Sequence, residues 1–188
     1  FGGVTNTYCD FAVFCFDFEG NGWAPGGFEG KAPTPRMGFG LAQSGASVYI
    51  FGGSKDQVFY NDMFEYKLET RQCVPFQSRG QQMANAPPKR FGHGMCGDPD
   101  RLYLFGGAIK GNQLLDDLWV FDLISRTWKE LLLDKDDREK KDEDAYPASR
   151  AYCSLDCHAE KLYLFGGWNG HQTLGDLWVL EDLDFSVW

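Results

Sequence analysis

The chain has 188 residues, of which 43% are hydrophobic and 16% aromatic, and its formal net charge is −9. The acidic balance argues against a general binder of nucleic-acid phosphates, whose affinity rests on basic surface. The apolar runs are far shorter than the roughly 20 residues that span a bilayer, so no membrane helix is expected. The many aromatics and 23 glycines favour all-β structure with frequent turns.

One set of landmarks recurs along the chain and divides it into similar units. The tripeptide Phe-Gly-Gly begins at Phe1, Phe51, Phe105 and Phe165. A Pro-x-x-Arg motif precedes the later three copies and ends at Arg36, Arg90 and Arg150. An aromatic-rich run follows each glycine pair, and beyond it stands Trp23, Cys73, Trp128 or Trp188. Landmarks that stay in register predict a repeat architecture.

Each unit is expected to contain four short strands. The runs 101–105 and 161–165 are rich in β-prone residues and are closed by glycines, as strands that end in tight turns are. The run from Leu118 to Phe121 is apolar at successive positions, so both of its faces must be covered. Stacked sheets would cover both faces.

The glycine pair, the aromatic run, the tryptophan and the preceding Pro-x-x-Arg together resemble kelch repeats over essentially the whole chain. The resemblance implies an all-β fold, a β-propeller in which each four-stranded unit forms one blade. Cys73 stands where a tryptophan is usual, and the histidine that often follows the arginine is kept only as His93. Both departures are interpreted as core substitutions.

The strand count predicts a partial propeller of about three and a half blades in a single segment, 1–188. Remnants of a blade occupy 1–30, and further blades lie at about 36–76, 90–133 and 150–188, with an acidic insertion at 134–144 before the last. Closed propellers have about four to eight blades. Remaining blades or another chain are therefore expected to close the ring.

A ligand is expected on the face formed by two sets of connections, because variable loops on a repeated scaffold usually carry recognition. The first set joins strands two and three at 4–10, 54–61, 108–116 and 168–175. The second set joins the blades at 24–35, 77–89 and 133–149. The resemblance implies that Arg36, Arg90 and Arg150 line the channel mouth and bind an acidic peptide or a C-terminal carboxylate. The alternative is that each arginine bonds carbonyls of a neighbouring blade.

Other candidates for partner contact lie in the first set of loops. Trp168, Asn169 and His171 form an aromatic and polar cluster, although the tryptophan could instead pack against an adjacent blade. Lys110, Asn112 and Tyr60 are weaker candidates, because solvated loop residues are common.

No catalytic site, metal or cofactor is expected. The chain has three histidines, His93, His158 and His171, in different predicted positions. Cys153, Cys157 and His158 lack a second pair of ligands at zinc spacing, which favours buried thiols. The sequence lacks a nucleophile-elbow motif and a phosphate-binding glycine loop.

The leading hypothesis is a non-catalytic protein-interaction scaffold, such as a substrate-recognition module or adaptor. The alternative is a regulatory kelch domain of a multidomain enzyme, such as a kelch-containing Ser/Thr phosphatase. Six cysteines without a C-x-x-C pair favour reduced thiols. This predicts a cytoplasmic location, with the nucleus as the second location considered.

Overall fold

A computed structural model describes residues 1–4, 9–76, 85–131 and 146–181. The acidic insertion at 134–144 and Trp188 lie outside these ranges. Every helix or strand position in these ranges belongs to a β-strand, and the strands are numbered β1 to β18 in chain order. This confirms the all-β prediction. No helix in the described part of the chain is long and apolar enough to cross a bilayer.

The units of the repeat, numbered 1 to 4 from residues 1, 36, 90 and 150, appear as successive sheets. Unit 1 contributes two small antiparallel pairs. β1 (Gly3–Val4) pairs with β2 (Cys9–Asp10), and β3 (Phe14–Asp17) pairs with β4 (Gly22–Pro25). β3 and β4 take the places of the third and fourth strands of a blade.

Unit 2 forms a complete four-stranded antiparallel sheet. Its strands are β6 (Gly40–Ser44), β7 (Ser47–Phe51), β10 (Met63–Lys67) and β11 (Gln72–Pro75), in that spatial order. β8 (Ser54–Lys55) and β9 (Val58–Phe59) form a small hairpin within the connection between β7 and β10. β5 (Glu29–Gly30) runs parallel to β11 and covers its edge. This part of the 24–35 connection therefore extends a sheet, where a loop was expected.

Unit 3 repeats the four-stranded sheet with β12 (Gly94–Gly97), β13 (Arg101–Phe105), β14 (Leu118–Asp122) and β15 (Thr127–Leu131). Unit 4 has β16 (Ser154–His158), β17 (Lys161–Trp168) and β18 (Thr173–Leu180) in its described part. β17 continues through its glycine pair, with a register shift between Phe165 and Gly167.

Successive sheets pack face to face, and three clusters of buried side chains lie between them. Within β14, Trp119 and Phe121 face unit 2, whereas Leu118 and Val120 face unit 4. This confirms that the apolar run at 118–121 is covered on both faces. The alternation follows from the pleat of a strand, which directs successive side chains to opposite sides.

Candidate interaction face

Arg90 donates hydrogen bonds to three other residues through one buried guanidinium. Its two terminal nitrogens donate to the two carboxylate oxygens of Asp117, each at 2.7 Å. Nη1 also donates to the carbonyl of Gly106 at 2.8 Å, and Nε donates to the carbonyl of Pro88 at 3.1 Å. A planar guanidinium matches a carboxylate in this two-point geometry.

The same arrangement, the arginine clamp, occurs in units 2 and 4. Arg36 binds Asp62 and the carbonyl of Gly52, and Arg150 binds Asp176 and the carbonyl of Gly166. In units 2 and 3 the aspartate immediately precedes the third strand of the sheet, and in unit 4 it lies within that strand, β18. The glycine carbonyl belongs to the first glycine of the Phe-Gly-Gly tripeptide.

The backbone of the clamp arginine also joins neighbouring units. The amide of Arg90 donates to the carbonyl of Tyr60 in unit 2, at 3.0 Å, and its carbonyl accepts from Gly53 at 2.9 Å. Arg150 bonds Leu115 and Gly107 of unit 3 in the same way. The side chain thus fixes one unit internally while the main chain ties that unit to the preceding one.

This geometry corrects the expectation that the arginines offer free guanidinium groups to an acidic ligand. Arg36, Arg90 and Arg150 are almost completely buried, and each is already paired with an aspartate. An acidic partner would have to displace that aspartate from within the sheet. The alternative, in which the arginines satisfy protein acceptors, describes the contacts that are present.

The clamps shift the ionisation of the groups around them. Hydrogen bonds from Arg150 lower the pKa of Asp176 to about 2, against the opposing effect of burial. Burial raises the pKa of Asp117, but the bonds from Arg90 and from the Trp119 indole outweigh it, and the net shift is downward. Burial lowers the pKa of His93 to about 3, so this side chain is an uncharged core residue at neutral pH.

The residue two positions after each arginine adopts a left-handed backbone conformation. Gly38 and Gly92 have φ of 62° and 67°, and Tyr152, at the equivalent position of unit 4, has φ of 58°. The amide of Gly92 donates to the carbonyl of Gly38 at 2.7 Å, and the amide of Tyr152 donates to the carbonyl of Gly92 at 2.5 Å. These bonds link three units in sequence beside the first set of loops.

Aromatic side chains cross the same three units next to these bonds. The ring centroids of Phe59 and Phe91 are 5.3 Å apart, and those of Phe91 and Tyr152 are 6.0 Å apart. We name Phe59, Phe91 and Tyr152 the aromatic row. Tyr152 is 62% exposed. Two further apolar side chains, Val58 and Trp168 in the strand 2–3 loops, are also exposed.

The structure places some of the predicted loop residues on the surface, where they are exposed, and uses others to support the scaffold. Trp168, His171, Lys110 and Asn112 are exposed in the strand 2–3 connections. Asn169 shapes its own turn, because its side-chain oxygen accepts from the amides of His171 and Gln172. The Tyr60 ring lies 3.8 Å from the Arg36 guanidinium carbon and supports that clamp.

The aromatic row was not anticipated from the sequence, although one signal could have identified it. After the clamp arginine, units 2 and 3 read Arg-x-Gly, whereas unit 4 has Tyr152 in place of the glycine. A bulky residue where the repeat otherwise has glycine is unexpected at a left-handed position. Phe59 and Phe91 could not be found this way, because their contact joins residues of two different units.

No metal-binding cluster is evident among residues 1–4, 9–76, 85–131 and 146–181. No group of three or more His, Cys, Asp or Glu side chains there could hold a metal ion. His158 and His171 are exposed, and His93 is buried, so the three histidines lie in different environments. The candidate site therefore consists of the strand 2–3 loops, the aromatic row and the arginine clamps beneath them.

Comparison with known proteins agrees with this architecture. The family model described as the KLHDC2/KLHL20/DRC7 Kelch-repeats domain matches residues 45–188. Kelch domain-containing protein 10 of Homo sapiens is 26% identical over 160 residues, which cover 85% of this chain and 35% of the relative. The chain thus spans about a third of the length of that curated relative.

Two other relatives carry different functional names. The leucine-zipper-like transcriptional regulator 1 homolog of Drosophila melanogaster is 27% identical over 177 residues, covering 94% of this chain and 17% of the relative. The N-(sulfonatooxy)prop-2-enimidothioate sulfolyase of Thlaspi arvense is 28% identical over 141 residues, covering 73% of this chain and 37% of the relative. With the family model covering most of the chain and the repeated sheets in place, this protein belongs to the kelch-repeat family and forms a partial β-propeller.

Proposed function

We propose that the chain is a non-catalytic protein-interaction module that binds a peptide or protein segment on the face carrying the strand 2–3 loops. Kelch-repeat domains are interaction modules in general, and the family membership supports that coarse function. The finer proposal concerns the binding surface, which we place on the aromatic row and on the exposed Trp168. Large aromatics at protein surfaces are frequent anchors of interfaces.

The observation that carries the proposal is the backbone of Tyr152. A non-glycine residue in the left-handed region costs about 1–2 kcal/mol, and the equivalent residues Gly38 and Gly92 avoid that cost. Other non-glycine residues with positive φ, such as Arg71 and Arg126, lie in the turns of hairpins, whereas Tyr152 has this conformation outside a hairpin. Backbone strain of this kind concentrates at functional sites. The large exposed fraction of Tyr152 means that core packing does not explain the residue, whereas contact with a partner would.

The partner is expected to present an apolar side chain to the aromatic row. The clamp arginines are occupied, so acidic groups of a partner would instead meet exposed loop cations such as Lys110. Asn112 and His171 can supply polar contacts at the margin, and these three residues remain predictions. The module would serve as an adaptor or as a substrate-recognition unit.

The relative named as a sulfolyase raises an enzymatic alternative, alongside a regulatory propeller within a multidomain enzyme such as a Ser/Thr phosphatase. No cluster of metal-ligating side chains in the described ranges favours catalysis by these residues. The reading frame around this chain separates the versions, because an adjoining metallophosphatase domain would support the regulatory role.

A displayed peptide library provides the direct test of the binding face. Peptides selected on the wild-type chain should lose at least tenfold in affinity with Tyr152→Gly, which restores the residue type of units 2 and 3 without backbone cost. Trp168→Ala should weaken the same peptides. Ile124→Ala is the matched control, because Ile124 is an exposed apolar residue on the turn between β14 and β15.

The expected result is a loss confined to Tyr152→Gly and Trp168→Ala, measured by titration calorimetry on variants whose circular dichroism matches the wild type. Peptides that bind the Tyr152→Gly variant as tightly as the wild type would overturn the proposed face. An equal loss with Ile124→Ala would also overturn it, because the binding would then not depend on the loop face.

A further inference from the structure

Cys96 and Cys157 lie side by side between units 3 and 4, on the first strand of each unit. Cys96 is on β12 and is 6% exposed, whereas Cys157 is on β16 and is half-buried. Both side chains pack in the cluster of buried residues that fills this interface, and the two thiols share a hydrogen bond. The contact belongs to two neighbouring units and does not depend on what lies beyond either of them.

The backbone explains why these two residues meet. β12 and β16 begin beside the amide-to-carbonyl bond that links units 3 and 4, and they run in the same direction from it. A Cβ on Gly94 would lie 2.8 Å from the Cβ of Leu155, so the strands come close together here because one residue is glycine. Side chains two positions apart on a strand point to the same side. Cys96 and Cys157, each two residues beyond this close approach, therefore face each other.

A polar cleft between the first hairpins of units 3 and 4 gives access to one member of the pair. The cleft has a volume of about 420 Å³, and Cys157 forms part of its wall. Charged side chains of both signs also line it, namely Asp98, Asp100, Arg101, Glu160 and Lys161. Cys96 lies deeper, within the buried cluster. One sulfur thus borders the cleft, and its partner lies behind it in the core.

The surroundings of the two thiols determine which one reacts first. Burial raises the pKa of both, and the rise is much larger for Cys96. At Cys157 the bonds from the Cys96 thiol and from the Gly97 amide oppose that rise, whereas the nearby carboxylates Asp98 and Asp156 add to it. The thiolate is the attacking species in thiol–disulfide exchange. Cys157 is therefore the first nucleophile, and its raised pKa makes the exchange slow at neutral pH.

We propose that Cys96 and Cys157 form a redox-active dithiol, which a small disulfide such as oxidised glutathione converts into a disulfide between units 3 and 4. The Cys157 thiolate attacks one sulfur of the small disulfide, whose sulfur–sulfur bond breaks, and one half leaves as a thiolate. Cys96 then attacks the Cys157 sulfur of this mixed disulfide, and the second half leaves. The two protons of the protein thiols pass to the two leaving thiolates. The protein thus loses two electrons, and the small disulfide is reduced to two thiols.

The reduced pair is the resting state in a reducing compartment, and the disulfide forms as the surrounding glutathione becomes oxidised. The new bond would join the first strands of two units across a long stretch of chain. A cross-link of this kind restricts the unfolded state. The oxidised protein should therefore unfold at a higher urea concentration than the reduced protein.

Peptide mapping by mass spectrometry tests the proposal on the chain incubated with excess oxidised glutathione at about pH 8.5, near the ordinary pKa of a cysteine. The wild type should give a cross-linked peptide pair that joins Cys96 to Cys157, and excess reduced glutathione should reverse it. Cys96→Ala should stop at a mixed disulfide with glutathione on Cys157, because the second thiol is missing. Cys153→Ala is the matched control, since Cys153 faces the same interface beside Gly94, and it should form the cross-link like the wild type.

Several results would overturn the proposal. Cys96 and Cys157 might both stay reduced in excess oxidised glutathione, or glutathione might remain on Cys157 of the wild type without displacement by Cys96; either result would do so. In a parallel sample unfolded in urea, the preference for this pair should disappear, and a preference that persisted would show that pairing does not report the folded contact. If Cys96→Ala loses its circular dichroism signal, Cys96→Ser repeats the test.

Discussion

The arginine clamps and the strand 2–3 loops lie a few residues apart in the chain. The clamps are the same in units 2, 3 and 4, whereas the loop face differs from unit to unit. The three clamps share the same arginine, aspartate and glycine-carbonyl contacts. The position two residues after the arginine changes from Gly38 and Gly92 to Tyr152, and the adjoining loops differ in length and composition. Uniform geometry therefore identifies the scaffold, and variation on top of it identifies the surface available for recognition.

The largest expected effect comes from breaking the most buried clamp. Arg90→Ala leaves Asp117, whose side chain is 12% exposed, without its partner. Removing one member of a buried ion pair costs about 3–5 kcal/mol. Urea denaturation should show a loss of that size, with a smaller loss for Arg36→Ala because Asp62 is more exposed.

Lys67→Ala provides the control for that measurement, since Lys67 is an exposed cation on β10 outside the clamps. A change of less than about 0.5 kcal/mol is expected there. If Arg90→Ala were no more harmful than Lys67→Ala, the clamp would not be the scaffold element described above.

The next largest effect is expected at the glycine that approaches the following clamp. A Cβ on Gly106 would lie 2.6 Å from the carbonyl oxygen of Arg150, and Gly106 has φ of 64°. Gly45 has a similar φ of 54° but open space around it. Gly45→Ala should cost about 1–2 kcal/mol for the left-handed backbone alone.

Gly106→Ala should lower the free energy of unfolding clearly more than Gly45→Ala. Both substitutions strain a left-handed backbone, but only the one at Gly106 also pushes two units apart. Chemical denaturation of both variants measures the difference. Equal losses would mean that the close approach between units 3 and 4 carries no energy of its own.

A smaller effect is expected from pH, through the clamp of unit 4. The pKa of Asp176 is lowered to about 2 from its ordinary value of 3.8, chiefly by hydrogen bonds from Arg150. A lowered carboxyl pKa stabilises the fold above the ordinary value and loses that contribution as the pH falls through the lowered one. The stability gap between the wild type and Asp176→Asn should therefore shrink between about pH 4 and pH 2.

Urea midpoints across this pH window provide the measurement, with Asp56→Asn as the control at an exposed carboxylate. The gap for Asp56→Asn should stay small throughout. A gap for Asp176→Asn that stayed constant from pH 5 to pH 2 would contradict the assignment of the clamp as the cause.

The smallest effect on stability is expected on the loop face. Tyr152→Gly relieves a left-handed backbone at about 1–2 kcal/mol but gives up a ring contact with Phe91 worth about 0.5–1.5 kcal/mol. The two changes nearly cancel, so the free energy of unfolding should shift by less than about 1 kcal/mol in denaturation experiments. A loss above about 2 kcal/mol would make Tyr152 part of the scaffold.

The sequence predicted the fold well because the repeat itself encodes it. The alternation within Leu118–Phe121 and the glycine-closed strands each follow from local periodicity, and both agree with the observed sheets. β5 was not predicted, since a two-residue strand that pairs with a strand of another unit has no local sequence pattern.

The site was harder to predict for a related reason. The arginines were identified from their motif, but their partners lie 26 or 27 residues away, so the sequence alone left open whether those partners belong to the protein. The pairing of Arg90 with Asp117 becomes apparent only when the third strand is placed beside the second. The contact between Phe91 and Tyr152 likewise depends on how two units stack.

Hydrogen exchange of the arginine side chains tests the central claim most directly. In nitrogen-15 spectra recorded after transfer to deuterated water, the Nε–H signals of Arg36, Arg90 and Arg150 should persist far longer than that of Arg71, which is exposed. Protection is expected because each Nε–H is buried and donates to the backbone carbonyl of the residue two positions before its arginine. Exchange of all three at the rate of Arg71 would contradict the account, because the guanidinium groups would then be open to solvent and to acidic ligands.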